Sequence, residues 1–294
     1  MESVEITRNF IDVEQLIASK NPHLLKILPG FIIRYLKKVV HQDAMNDAIY
    51  RNRDKFGLDF IEVILNEFGV NLVIADGRQK SADGRPGIAE ISELVPRNRR
   101  LLIAANHPLG GLDGMALMKA VGKVRPDIVF PVNDFLMNVP GLKPLFIPIN
   151  KHGKNTDNIR IIEETFASEK TILYFPSGLV SRKQRGGLIH DLEWKKTFIT
   201  KARKFERDIL PVYISGRNSE FFYNLANWRR RLGIGINLEM LFLVDEMVKQ
   251  KDKTIKMVFG DVVPFQTFDR TRTDSQWARY MSDMVYRMAQ PQPS

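Results

Sequence analysis

The chain has no cysteine among its 294 residues, which excludes a disulfide framework, a thiol nucleophile and a Cys-ligated metal, and fits a reducing compartment. It also lacks any uninterrupted apolar stretch of about 18 residues, the length a spanning helix needs, so any membrane attachment is expected to be peripheral. The first twenty residues carry Glu2, Glu5, Asp12 and Glu14 without a continuous apolar core, which is unlike a secretory signal and implies no export. Internal repeats and low-complexity tracts are missing too. Acidic residues are in deficit: 34 Asp and Glu against 44 Lys and Arg leave a formal net charge of +10. That balance suits a polyanionic partner, either nucleic acid or anionic lipid. No nucleic-acid module is recognisable, and a basic pI alone does not supply one, so no nucleic-acid partner is expected.

What is present reads as a globular α/β chain. Its length suits one large domain with an appendage, and its 44% hydrophobic and 27% charged residues exclude both disorder and a multi-span membrane protein. Residues 1–75 read as a helical N-terminal appendage, because apolar positions recur every three or four residues, as at Phe60, Ile61, Ile64, Leu65 and Phe68. Within it, His23 to Val40 mixes Leu, Ile, Phe and Tyr with Lys26, Arg34, Lys37 and Lys38, and is broken at Pro29-Gly30. Such a segment can lie on a membrane or pack on the main domain; an amphipathic face alone does not say what covers it. Asp76 to Gly87 is expected to be a linker, and residues 88–290 the main domain.

Beyond the linker, short apolar runs at Leu101–Ala105, Ile128–Val132, Leu145–Ile149, Thr171–Phe175, Ile209–Ile214 and Ile255–Phe259 alternate with helical patterns. The helices are expected at 113–121, 155–168, 193–206, 221–232, 238–249 and 275–289, with 290–294 frayed. Continuous apolar runs suit strands covered on both faces, hence a mainly parallel or mixed sheet flanked by helices.

Two loops follow such strands, where α/β sheets place their ligand sites. The first runs from Asn106 and His107 through Gly110 and Gly111 to Asp113. A carboxylate six residues after a histidine can hold one ring nitrogen protonated and leave the other free to accept a proton. A His near an Asp is also a common structural pair; the position and the glycines favour the chemical reading. The second loop, Tyr174 to Gly187, contains Ser177, Gly178, Arg182 and Arg185, whose hydroxyl, amides and cations can bind an anion or polar headgroup, or simply form a solvated basic loop. Ser177 is not expected to be a nucleophile, because Phe175 stands where a Gly-x-Ser-x-Gly elbow needs its first glycine. Asn227 to Gly233 sets Trp228 beside Arg229, Arg230 and Arg231, either a lipid-phosphate contact or a solvated basic helix end. His152 and His190 are expected to be surface or structural residues, and no His and carboxylate cluster has metal-ligand spacing.

Across residues 101–265 the chain resembles the glycerolipid acyltransferases, the lysophosphatidic acid acyltransferase-like enzymes. Four blocks in order carry the resemblance: Asn106-His107 with Asp113; Phe146 to Asn150; Phe175-Pro176-Ser177-Gly178; and Leu210 to Ile214. Three departures stand out. Five residues separate His107 from Asp113 where the family usually has four, a change that Gly110-Gly111 can absorb; Ser177 replaces a Glu; and Asn150-Lys151 replaces an Arg. The long spacing resembles the hemolysin-like branch, which includes bacterial O-acyltransferases that complete amino-acid lipids.

The resemblance implies an enzyme in which His107, oriented by Asp113, is the general base that moves a fatty acyl chain from acyl carrier protein or coenzyme A onto a lyso-lipid hydroxyl. Asn106, Gly110, Asn150, Lys151, Ser177, Gly178, Arg182 and Arg185 are then substrate-binding candidates, with amides near Gly110 or Gly178 as oxyanion donors. No metal or cofactor is implied. The partners are the acyl donor, the lyso-lipid and an anionic membrane surface, at the cytoplasmic face of a bacterial inner membrane. The acceptor is expected to be a lyso amino-acid lipid. Lysophosphatidic acid, or a noncatalytic lipid-binding role, are the alternatives.

Overall fold

The computed structural model describes residues 10–20, 22–80, 85–132, 136–148, 155–235 and 237–289. Helices α1 (Val13–Lys20), α2 (Pro22–Ile27), α3 (Gly30–Val39), α4 (Gln42–Arg51) and α5 (Gly57–Glu67) lead the chain. Strands β1 (Asn71–Lys80) and β2 (Pro86–Ile88) follow, then the short helix α6 (Ile91–Leu94) and strand β3 (Leu101–Ala105). Helix α7 (Gly111–Gly122), β4 (Ile128–Val132), β5 (Phe146–Pro148), α8 (Asn155–Ala167) and β6 (Thr171–Tyr174) come next. A ribbon of β7 (Arg182–Lys183) and β8 (Ile189–His190) precedes α9 (Thr197–Lys204), β9 (Asp208–Ile214), α10 (Glu220–Arg231), α11 (Leu243–Val248), β10 (Thr254–Phe259) and α12 (Asp274–Met288).

The described residues form one eight-stranded mixed sheet, in the order β2-β1-β10-β9-β3-β6-β4-β5. β9, β3, β6, β4 and β5 run parallel, so their C-terminal ends share one edge. β10 is antiparallel to β9, and β1 is parallel to β10.

Every residue of β3 is buried, because alternate side chains serve two cores. Leu101, Ile103 and Ala105 pack into the layer with Phe60, Ile61 and Leu65 of α5 and Leu112 and Leu117 of α7. Leu102 and Ala104 face the other layer, with Phe198 and Ile199 of α9 and Trp277, Met281 and Val285 of α12. The fully buried Arg207 guanidinium ties the start of β9 to the carbonyls of Phe166 (2.7 Å), Lys170 (2.7 Å) and Leu101 (3.2 Å). Burial pushes its pKa down to about 10, so it keeps its charge at neutral pH.

The α/β architecture and its flanking helices agree with the sequence reading, but the expected boundary does not. β1 occupies 71–80, so the last residues of the expected appendage and the first of the expected linker are a sheet strand. α5, too, belongs to the main core.

Candidate active site

Asn106 and His107 leave β3 at the edge shared by the parallel strands. The buried Asn106 side chain continues the ladder that the strand has ended: its Nδ2 donates to the Ile214 carbonyl (2.9 Å) and its Oδ1 accepts from the Ile214 N–H (2.6 Å). Asn106 is thus a brace to β9, not a free substrate ligand. His107 Nδ1 lies 3.0 and 3.1 Å from the two oxygens of Asp113, which is fully buried in the first turn of α7. The extra residue between them is taken up at Gly110, whose φ of 89° is a conformation side-chained residues avoid. Asp113 Oδ2 also accepts from the N–H groups of Leu109 (2.7 Å) and Gly110 (3.3 Å), and the helix dipole favours its charge there. An ionised carboxylate only accepts, so the Nδ1 proton points at Asp113 and the Nε2 lone pair is left open. Nε2 has no hydrogen-bond partner among the described residues, and Phe175, immediately after β6, stacks on the imidazole at 4.1 Å between centroids.

A second carboxylate holds the backbone of His107. The buried Asp191 accepts from the His107 N–H (3.2 and 3.3 Å), the Ser181 hydroxyl (2.6 Å) and the Trp194 indole (2.9 Å). Ser181 N–H in turn donates to the His107 carbonyl (2.8 Å), so the residue is gripped through both its peptide groups. Asp191 N–H donates to the Tyr286 hydroxyl of α12 (2.8 Å). Burial raises the Asp191 pKa, outweighing the opposing pull of these donors and of His107. Nothing in the local sequence marks Asp191, since of its carboxylate's partners only Trp194 is closer than ten residues. In Asp191→Asn the amide group turns a donor toward donors. With the base role that the resemblance implies for His107, its displacement is expected to lower turnover about 10²-fold. Steady-state kinetics alongside thermal unfolding checks this, and Ser181→Ala, which removes the hydroxyl's contacts with Asp191 (2.6 Å) and the His107 carbonyl (3.2 Å) but keeps the carboxylate, is expected to act in the same direction more weakly.

The other expected ligands divide. Ser177 is buried and its hydroxyl donates to the Leu179 carbonyl (2.8 Å), closing a turn in which Gly178 takes φ 64°. The amides expected to serve an oxyanion are engaged, Gly110 N–H by Asp113 and Gly178 N–H by the Phe175 carbonyl (3.0 Å). Arg182 is turned inward: its guanidinium meets the fully buried Glu239 at 2.8 Å, which also holds Arg229 at 2.8 Å. Burial lowers the Arg182 pKa against the pull of Glu239, and its charge is spent inside the protein rather than offered to a headgroup. Arg185 is exposed. Asn150, Lys151 and His152 lie outside the described residues, whereas the half-buried His190 stacks on Tyr286. Among the described residues no group of three or more His, Cys, Asp or Glu is placed to hold a metal ion.

The sequence profile of the acyltransferase family matches residues 15–276. The chain belongs to this acyltransferase family. Two curated relatives are similar to this acyltransferase over nearly its whole length. A lyso-glycine lipid O-acyltransferase of Bacteroides thetaiotaomicron is 43% identical over 280 residues, 95% of this chain and 97% of its own. One of the same name from Phocaeicola vulgatus is 44% identical, covering 95% of each chain. Among solved structures, the 1-acyl-sn-glycerophosphate acyltransferase PlsC of Thermotoga maritima aligns with 93% of this acyltransferase and 90% of its own chain, at TM-score 0.48 and 16% identity.

Proposed function

We propose that this enzyme esterifies the free hydroxyl of a lyso-glycine lipid with a fatty acyl group from acyl carrier protein or coenzyme A, with His107 as general base. The carrying observation is the 43–44% identity, over 95% of the chain, to two lyso-glycine lipid O-acyltransferases. His107 Nε2 takes the hydroxyl proton as the oxygen attacks the thioester carbonyl. The tetrahedral intermediate then collapses, the C–S bond breaks, and the departing thiolate receives the proton from the imidazolium. Base assistance of this kind contributes about 10²–10⁴-fold.

The acceptor is a lipid, and among the described residues no helix is long and apolar enough to cross a membrane. We place the enzyme on an anionic membrane surface, and α3 supports this. Ile32, Ile33 and Leu36 are half-buried, while Phe31 and Tyr35, one turn apart, are exposed beside Arg34 and Lys38, with Ile27 exposed at the end of α2. The outward stripe is therefore Ile27, Phe31 and Tyr35, a different set from the helix's most apolar residues.

The test is direct. Purified protein given an acyl thioester and lyso-glycine lipid is expected to form the O-acylated product, detected by mass spectrometry, and to leave lysophosphatidic acid largely unreacted. Product from lysophosphatidic acid alone would reassign the acceptor, and product from neither would remove the enzymatic reading.

A further inference from the structure

A groove of about 630 Å³ opens between the β7–β8 ribbon and the C-terminal end of α10, lined by Lys183, Gln184, Arg185, Asn227, Arg230 and Arg231. Its walls are fastened together. Asn227 Nδ2 donates to the Lys183 carbonyl (3.3 Å), and beneath the surface Glu239 binds Arg182 of the ribbon and Arg229 of the helix. The buried arginines are therefore structural, and the outward ones are differently placed. Arg185 and Arg231 are exposed and make no ion pair or hydrogen bond among the described residues, and Arg230 bonds only the neutral Asn227 (2.7 Å). Lys183 pairs with Glu220 at 2.7 Å.

Favourable cations at a helix C-terminus would explain Arg230 and Arg231 but not their neighbours. Three large apolar side chains next to these segments are exposed: Leu188 at the ribbon turn is 62% exposed, and Trp228 of α10 and Leu232 just past its end are 65% and 60% exposed. Gly186 and Gly187, both at positive φ, form the turn that carries Leu188 outward. Unpaired arginines with an exposed tryptophan and leucines in the same two segments match the chemistry of a bilayer's headgroup layer, where phosphate meets hydrocarbon. An acidic protein surface would use the cations and leave the exposed apolar side chains unexplained. The placement also suits the reaction. Ser181, immediately before the ribbon, holds the His107 carbonyl, and the segment Leu238–Phe242 packs against both α10 and α3.

We infer that this groove is a second lipid-surface contact, in which Arg185, Arg230 and Arg231 bind phosphates of an anionic bilayer while Leu188, Trp228 and Leu232 enter its headgroup layer. It deepens the reading of the enzyme as an acyltransferase acting on a membrane-resident acceptor, and rests on it. With α3 it gives the enzyme two points of contact, on segments separated in sequence by about 150 to 200 residues.

The full-length protein is to be sedimented with phosphatidylcholine vesicles, with and without phosphatidylglycerol. Arg230→Gln/Arg231→Gln is expected to bind phosphatidylglycerol vesicles about thirtyfold more weakly, about fivefold per cation, with no change on pure phosphatidylcholine. Leu188→Ser/Trp228→Ser/Leu232→Ser is expected to lose the binding that persists at high salt. All five positions are exposed, and an unchanged thermal midpoint verifies folding. Wild-type sedimentation by both folded variants overturns the inference. So does unchanged vesicle binding combined with weakened binding to an acidic acyl carrier protein, which would make the groove a protein-docking surface. Turnover of detergent-dispersed lyso-glycine lipid by the wild type is measured alongside. Its absence with groove-dependent sedimentation counts against the acceptor, whereas its presence with groove-independent sedimentation counts against the groove.

Discussion

His107→Ala is expected to lower kcat by about 10²–10⁴-fold, the contribution of a positioned general base, while the protein stays folded. The reason for the second half is specific. Asp191 and Ser181 grip His107 by its N–H and carbonyl, which alanine retains, and among the described residues the imidazole itself is bound only by Asp113 and the face of Phe175. The loop should therefore keep its course, and the acceptor KM should change far less than kcat. Steady-state kinetics with lyso-glycine lipid, together with a thermal melt, measures both halves. A folded variant with near-normal turnover would assign proton removal to another group.

Asp113→Asn is expected to be as severe, for a different reason. The N–H groups of Leu109 and Gly110 both point at Oδ2, so an asparagine places its carbonyl there and its amide NH₂ against His107 Nδ1. Nδ1 must then accept, the proton moves to Nε2, and the nitrogen needed as base becomes a donor. In a hydrolase triad the corresponding change costs about 10⁴-fold, and a loss of that order is expected here. Stability should fall by only about 1–2 kcal/mol, because two backbone donors keep their acceptor. Asp113→Ala leaves those donors buried and unpaired, so it is expected to unfold the loop as well and is the less informative variant. Imidazole nitrogen NMR reports the tautomer directly. An Asn variant that turns over normally, or one whose Nε2 remains unprotonated, would reassign the orienting role.

Much of this architecture was legible because it is written in local patterns. β3, β4, β6, β9 and β10 coincide with apolar runs, and α7, α8, α10 and α12 with helical periodicity to within a few residues. β1 escaped because Asn71 to Lys80 has a polar, charged second half. It is a strand because β10, some 180 residues on, supplies its parallel partner. The 193–206 helix begins only at Thr197, since Trp194 is drawn down to Asp191. Arg182 and Arg229 sit in stretches rich in cations and read as surface charge; only Glu239, 57 and 10 residues away, turns them inward.

The sequence by itself determined the alternation of strands and helices, the placing of His107 at a strand end, and its companion Asp113 six residues on. These follow from periodicity, glycine's conformational freedom and hydrogen-bonding capacity, all of which act within a few residues. Only the tertiary structure decided that Asp191 clamps the His107 peptide, that Asn106 is a brace, and which arginines face solvent. Those outcomes depend on pairing across ten to over one hundred residues. There the burial of a charge is tolerated only if a distant partner arrives to satisfy it, and no local pattern records which partner that is.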